Sequence, residues 1–313
     1  MSVAGAAELP PALVGERRTL VEPAIGELSW YQSDPAGAVG TPLLLIHSVN
    51  AAASAYEVRP LYDRYRAERP VYALDLPGYG FSSREVRPYL PRLMTDAVLA
   101  LVAEIRRQHP GKCIDALALS LGCEFLARAA SEQPAPFRSV ALVSPTGFRG
   151  KALRYGPAGG NRGIPGVLRF LTRGRVGEWI FGLLTTRGVI RYFLERTWGG
   201  RGIDAGLLDY DCLTTRVAGA ALAPFYFLSG FLFAADSGRV YESLTVPVWV
   251  SHGVRGDFTD YRALGEPARR MGWRVDVFPT GALPHFEVGD EFLARYDTFL
   301  ASPSAPRASA GTA

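Results

Sequence analysis

Cysteine is scarce. Cys113, Cys123 and Cys212 are the three in 313 residues, and no two stand in a C-x-x-C spacing. That count excludes a disulfide framework and a thiolate zinc site, and the thiols read as reduced, as in the cytoplasm. Histidine is nearly as rare, with four. No cluster of histidines, cysteines and carboxylates has metal-ligand spacing, so no metal is expected. Also missing is a Gly-rich phosphate loop of either the dinucleotide or the P-loop type, and no nucleotide or other cofactor is expected. No nucleic-acid-binding motif and no internal repeat is present. Met1 to Glu16 has no basic stretch followed by an apolar one, so no secretory signal is expected there.

One long uncharged run does occur, the nineteen residues Val217 to Ala235. It is long enough to cross a bilayer. Pro224 and Ser229-Gly230 interrupt it, and a span here would separate strands that must pair, so a buried helix pair is expected instead. With 48% hydrophobic and 20% charged residues, the remaining composition is that of an ordinary globular chain with a large core. The net charge of +4 hides an asymmetry. Between Arg149 and Arg201 eleven basic residues face only Glu178 and Glu195, leaving 23 basic against 28 acidic elsewhere.

Pro42 to His47 is an unbroken apolar run, the mark of a strand buried on both faces of a parallel sheet, and Val71 to Asp75 is the next buried strand. Cys113 to Leu119, Ser139 to Val143, Val246 to Ser251 and Arg274 to Phe278 add further strands, and Glu27 to Gln32 a weaker early one. Helical spacing appears between them at Tyr56 to Glu68, Leu93 to Gln108, Leu121 to Arg128, Tyr261 to Met271 and Glu287 to Leu300. This alternation predicts an α/β fold with a mostly parallel, doubly wound sheet. The rhythm breaks after Thr146 and resumes at Glu242. The expected organisation is therefore a flexible N-terminus (1–20), a core from 21–146 and 242–302, an inserted helical cap (147–241) and a disordered tail (303–313).

The richest stretch is Ala118-Leu119-Ser120-Leu121-Gly122, at a strand-to-helix junction. A serine with a tiny residue two positions away on each side fits a turn so sharp that larger side chains would collide. Strain there exposes the hydroxyl near the positive end of the following helix. A serine nucleophile needs a base. His109 lies at the wrong edge of the sheet, and His47 and His252 end buried strands, where bracing loops is the commoner role. His285, in Gly281-Ala282-Leu283-Pro284-His285-Phe286, follows the last strand at the carboxyl edge, where ligands bind in open α/β sheets. The base in turn needs a carboxylate. Asp257 follows the strand ending at Ser251, and its competitor Asp260 reads as a helix N-cap.

Together these features resemble the capped α/β-hydrolase family. The order Ser120, Asp257, His285 is that family's nucleophile–acid–base order. The strand ending in His47, the Asp75-Leu76-Pro77-Gly78-Tyr79-Gly80-Phe81-Ser82 loop and the His252-Gly253-x-x-x-Asp257 segment also fall in family sequence, over roughly residues 27–302. The resemblance implies a two-donor oxyanion hole from the backbone N–H groups of Val49 and Leu121. It departs at Ser48, where the family usually has glycine, and at Ala118, one methyl larger than the commoner glycine. Ser120 argues against epoxide hydrolases and haloalkane dehalogenases of this fold, which use aspartate at the elbow. What remains is hydrolysis of an apolar carboxylic ester or thioester through an acyl-enzyme. Carbon–carbon bond hydrolysis and haloperoxidase-like activity are alternatives on the same triad, and a non-catalytic binding protein of this fold is the rival from another class.

The cap is dense in aromatics, among them Phe170, Trp179, Phe181, Trp198, Phe225 and Phe231. They predict an apolar pocket for a small-molecule acyl substrate, with the Gly-rich stretch around Lys151, Arg154 and Arg162 as a mobile flap. The basic bias of the cap predicts weak peripheral contact with an anionic membrane surface.

Overall fold

The structure, a computed structural model, describes residues 9–303. Eight strands form one sheet in the order β1-β2-β4-β3-β5-β6-β7-β8. The first half of the chain supplies β1 (Glu16–Glu22), β2 (Gly26–Ser33), β3 (Leu43–Ile46), α1 (Arg59–Tyr65), β4 (Val71–Asp75), α2 (Pro91–Gln108), β5 (Ile114–Leu119), α3 (Gly122–Glu132) and β6 (Phe137–Val143). Only β1 and β2 run antiparallel to their neighbours; β4, β3, β5, β6, β7 and β8 are parallel.

The insertion after β6 holds α4 (Pro165–Leu171), α5 (Arg175–Leu184), α6 (Arg187–Trp198), α7 (Ala205–Thr214), α8 (Leu222–Leu228) and α9 (Ser237–Glu242). The sheet then resumes with β7 (Val248–Gly253), α10 (Gly265–Met271), β8 (Arg274–Phe278), α11 (Pro284–Glu287) and α12 (Gly289–Ala301).

Burial follows the sequence pattern. Every residue of β3, β4 and β5 is buried, because helices cover both faces. Side chains of α2, α3 and α10 fill one face, and those of α1 and α12 the other, where Trp249 of β7 stacks on Tyr296 of α12. Asp115 opens β5 fully buried, gripped by Arg69, Arg138 and the Ser139 hydroxyl (2.6 Å). Removing one partner of such a buried ion pair costs about 3–5 kcal/mol. This network pins β5 at the end opposite Ser120.

Residues 1–20 were expected to be flexible, yet the described part of that segment is packed. Leu9, Ala12 and Leu13 are buried, the Tyr210 hydroxyl donates to the Pro10 carbonyl, and Glu16–Glu22 is the edge strand β1. Solvent reaches both faces of β1, so its sequence lacks the apolar signature of the inner strands. The rest of that segment (residues 1–8) and all but Pro303 of the tail expected at 303–313 lie outside the described residues.

The uncharged run from Val217 to Ala235 contributes the seven-residue helix α8 and loops. Among the described residues no helix is long and apolar enough to cross a membrane. The stretch expected as a mobile flap is tied down. Backbone N–H groups of Gly156, Arg162 and Ile164 donate to Ala235, Phe233 and Ser229, and Gly238 donates to Arg154. A glycine-rich sequence here serves close backbone pairing, since a Cβ on Gly156 would lie 2.8 Å from the Ala235 carbonyl oxygen.

Candidate active site

Ser120 sits between the end of β5 and the start of α3 with φ +51°, a left-handed conformation that costs a serine strain. The turn is held from both sides. Ser120 N–H donates to the Val143 carbonyl on β6 (2.8 Å), and the Ser120 carbonyl accepts from Cys123 N–H (3.1 Å). The small residue at position 122 is a steric requirement: a Cβ there would lie 2.5 Å from the His47 carbonyl oxygen. At the other flank Ala118 is fully buried, so its extra methyl is accommodated in the core. The Ser120 hydroxyl is half-buried and joins no hydrogen bond among the described residues.

Across from the elbow, the loop after β3 is organised by a residue that the sequence reading passed over. Glu57 is fully buried, and its carboxylate accepts from Ser48 N–H (2.7 Å), the Ser48 hydroxyl (2.9 Å) and Asn50 Nδ2 (2.8 Å). This explains Ser48 in place of glycine: both of its donors are used, and its φ is not positive. Burial raises the Glu57 pKa, opposed by these hydrogen bonds. His47 braces the same loop. Its Nε2 accepts from Leu76 N–H (3.0 Å), its Nδ1–H donates to the Ser48 carbonyl (2.5 Å), and burial lowers its pKa to about 4. The N–H groups of Val49 and Leu121 donate to no acceptor among the described residues.

The other half is arranged differently. His285 does not lie in the loop after β8, which runs Pro279 to Leu283; it is in the next element, α11, which Pro284 begins. Its side chain turns inward and is fully buried beside Phe286 and Phe292. Nε2–H donates to the Glu57 carbonyl (2.8 Å), which leaves the lone pair on Nδ1, and Nδ1 has no partner. Burial lowers the imidazole pKa to about 4.

Asp257 is exposed on the loop after β7. Its carboxylate takes a two-pronged ion pair from Arg196 of α6 (Nη2 at 2.8 Å), and its N–H donates to the Arg196 carbonyl (3.1 Å). The structure thus places Ser120, His285 and Asp257 at the carboxyl edge of the sheet without a hydrogen bond between any two. The side-chain directions were not legible in the sequence, and Arg196 lay in a region with no strand pattern to place it. Asp260 binds Arg262 and Gly150 N–H. His252 stacks on Tyr261 at 4.0 Å, and His109 contacts the Tyr72 hydroxyl.

Two more buried acids escaped the sequence reading. Asp211 of α7, within the cap, is buried with one carboxyl oxygen sealed and unpartnered; burial, then the charge of Glu57, push its pKa well above the usual carboxylate range. Glu124, one turn into α3, is buried and accepts from the Thr146 hydroxyl (2.6 Å) and Ala234 N–H (2.9 Å), tying the elbow helix to the end of the cap. Its signal was a lone acid within an apolar helix. Among the described residues no group of three or more His, Cys, Asp or Glu could hold a metal. Surface clefts of about 430 Å³, beside His252 and Tyr261, and about 500 Å³, beside Pro11 to Gly15, are not lined by Ser120.

A family model for the alpha/beta hydrolase fold matches residues 41–174, which include the elbow. Similar solved structures span nearly the whole chain. A probable hydrolytic enzyme from Pseudomonas aeruginosa PAO1 shares 16% identity at TM-score 0.68, covering 91% of this chain and 94% of that one. A thermophilic esterase from Thermogutta terrifontis shares 16% at 0.67, covering 92% and 98%. The meta-cleavage product hydrolase CumD from Pseudomonas fluorescens IP01, solved as an S103A mutant, shares 14% at 0.64, covering 92% and 98%. No curated protein matches the chain in sequence. With this sheet order, elbow and inserted helical segment, the chain has the α/β-hydrolase fold.

Proposed function

We propose that the protein is a hydrolase in which Ser120 attacks the carbonyl of an apolar carboxylic ester or thioester. The observation that carries this reading is the strained elbow: Ser120 at φ +51°, its hydroxyl unengaged at the N-terminus of α3. A backbone strained at a polar residue persists when the surroundings impose it, and such strain concentrates at functional sites. In the proposed cycle Ser120 Oγ adds to the carbonyl carbon while the N–H groups of Val49 and Leu121 receive the oxyanion. Expulsion of the alcohol or thiol leaves an acyl-Ser120, which water hydrolyses.

The Ser120 proton needs an acceptor. His285 takes that role once its ring leaves the Glu57 carbonyl, with Asp257 released from Arg196 to orient it. The resting protein is then a slow hydrolase held with its base disengaged. The structural neighbours include an esterase and a meta-cleavage product hydrolase, and the reading names esters first because acyl transfer needs least beyond the elbow. Turnover of a p-nitrophenyl acyl series, compared between wild type and Ser120→Ala, tests it. A chain-length-dependent rate that Ser120→Ala abolishes supports the reading, and equal rates for the two proteins refute it.

A second reading, a binding protein without turnover, is favoured by one arrangement. His285 and Asp257 are both spent on other partners, Glu57 and Arg196. It predicts ligand capture with no burst of p-nitrophenol.

A further inference from the structure

The outer surface of the cap has no use in acyl transfer, yet its composition is unusual. Helix α5 is apolar on two sides. Gly177 and Phe181 face inward, Gly177 close against the Leu171 backbone and Phe181 edge-on to Phe225 at 6.2 Å. Val176, Trp179 and Leu183, at spacings of three and four, form a second stripe that faces solvent. Trp179 is 71% exposed and Leu183 53%. On the neighbouring α4, Val167 and Phe170 repeat the pattern, with Phe170 56% exposed. An isolated exposed apolar residue needs no explanation, but a run of them over two packed helices does.

Charge says what covers this face. Arg169, Arg173 and Arg175 lie on α4, on the α4–α5 link and in the first turn of α5, all exposed. None of the three forms a salt bridge among the described residues, although other cap arginines do: Arg187 with Asp209 and Arg196 with Asp257. Glu178 is the single acid in α4, α5 and their link. A second copy of the chain is a poor occupant, because a two-fold contact through this patch would bring the three arginines against one another.

We propose that the α4–α5 face of the cap docks on an anionic lipid surface. Trp179, Phe170 and Leu183 enter the boundary between headgroups and acyl chains, while Arg169, Arg173 and Arg175 meet the phosphates. The combination suits that boundary: aromatic and aliphatic side chains gain by leaving water, and guanidinium groups pair with phosphate oxygens. The face belongs to the cap, whose Leu171, Phe181 and Phe225 pack on Ala51 of the loop after β3, so docking would present the apolar side of the protein to lipid-soluble esters. Docking itself does not depend on catalysis.

Vesicle flotation of the full chain tests this independently of turnover. With vesicles of phosphatidylcholine and phosphatidylglycerol, wild type floats at low salt and is released at high salt. With phosphatidylcholine alone it stays at the bottom. Phe170→Ser/Trp179→Ser and, separately, Arg169→Glu/Arg173→Glu/Arg175→Glu each reduce the floated fraction at least about tenfold with unchanged melting, since all five side chains are on the surface. The proposal is overturned if wild type fails to float with anionic vesicles at low salt, or if the charge-reversal variant floats as well as wild type. It is equally overturned if light scattering shows a wild-type dimer that Phe170→Ser/Trp179→Ser dissolves while vesicles bind neither protein.

Discussion

The serine half and the histidine half of the site are built to different standards. Around Ser120 the turn is over-determined: strand β5, helix α3, the neighbouring strand β6 and the His47 carbonyl all constrain it within van der Waals contact. Around His285 and Asp257 the same edge of the sheet is stitched to other things. The Asp257 carboxylate serves the cap through Arg196, and the His285 ring serves the core through Glu57. The difference shows that a catalytic arrangement is not one object. A nucleophile elbow is a local device that a pentapeptide can specify. A proton relay requires three distant loops and the cap to agree, and here the cap holds Asp257 through Arg196.

The predictions follow from pulling the two halves apart. The largest effect falls on the serine half: Ser120→Ala lowers ester turnover by ~10⁴-fold or more in initial-rate assays, because nothing else in the elbow can carry the acyl group. Next comes the base. His285→Gln lowers turnover by ~10²–10⁴-fold if the ring reaches Ser120 during the cycle, and leaves it unchanged if His285 only braces Glu57. A pH–rate profile sharpens this point. With a folded pKa of about 4, the imidazole is neutral above that value, so the acid limb of kcat/KM lies near pH 4 rather than 6.5.

Stability separates the halves as well. Between pH 6.5 and about 4 the unfolded chain binds a proton at His285 that the folded chain does not. Folding is therefore weakened as pH falls through that window, by up to about 1.4 kcal/mol per pH unit. In His285→Gln the slope of melting temperature against pH over this range is reduced.

Asp211 has the opposite sign. Its raised pKa makes the folded chain the better proton binder, so its contribution is present at low pH and lost as pH rises. Asp211→Asn is expected to match wild type near pH 4 and to melt increasingly higher as pH rises to 8, since each pH unit above the unfolded pKa costs the wild-type fold up to about 1.4 kcal/mol. Smallest is the surface pair. Arg196→Gln leaves the melting temperature within about a degree, as exposed ion pairs contribute little. If Asp257 is the relay acid, the same change raises turnover by freeing it.

The inner parallel strands β3 to β7 were legible because burial on both faces leaves apolar runs. Strand β1 was not, since an edge strand wetted on both faces carries ordinary polar residues such as Glu16, Arg17 and Arg18. The elbow was legible for steric reasons visible in Gly122 and Ala118. The partners of His285 and Asp257 were not, because Glu57 offers a backbone carbonyl that any residue would present, and Arg196 reaches Asp257 across 61 positions of sequence. Chain order locates the loop from which a side chain departs; the packing of α11 and α6 decides where it arrives.

The claim on which the rest depends is that Ser120 is a reactive nucleophile. Intact-mass and peptide mass spectrometry after treatment with a fluorophosphonate probe measures this directly. The account predicts a single covalent adduct on the peptide containing Ser120 in wild type, retained at a slower rate in His285→Gln and absent from Ser120→Ala. An unmodified wild type, or an adduct that persists in Ser120→Ala, would contradict it.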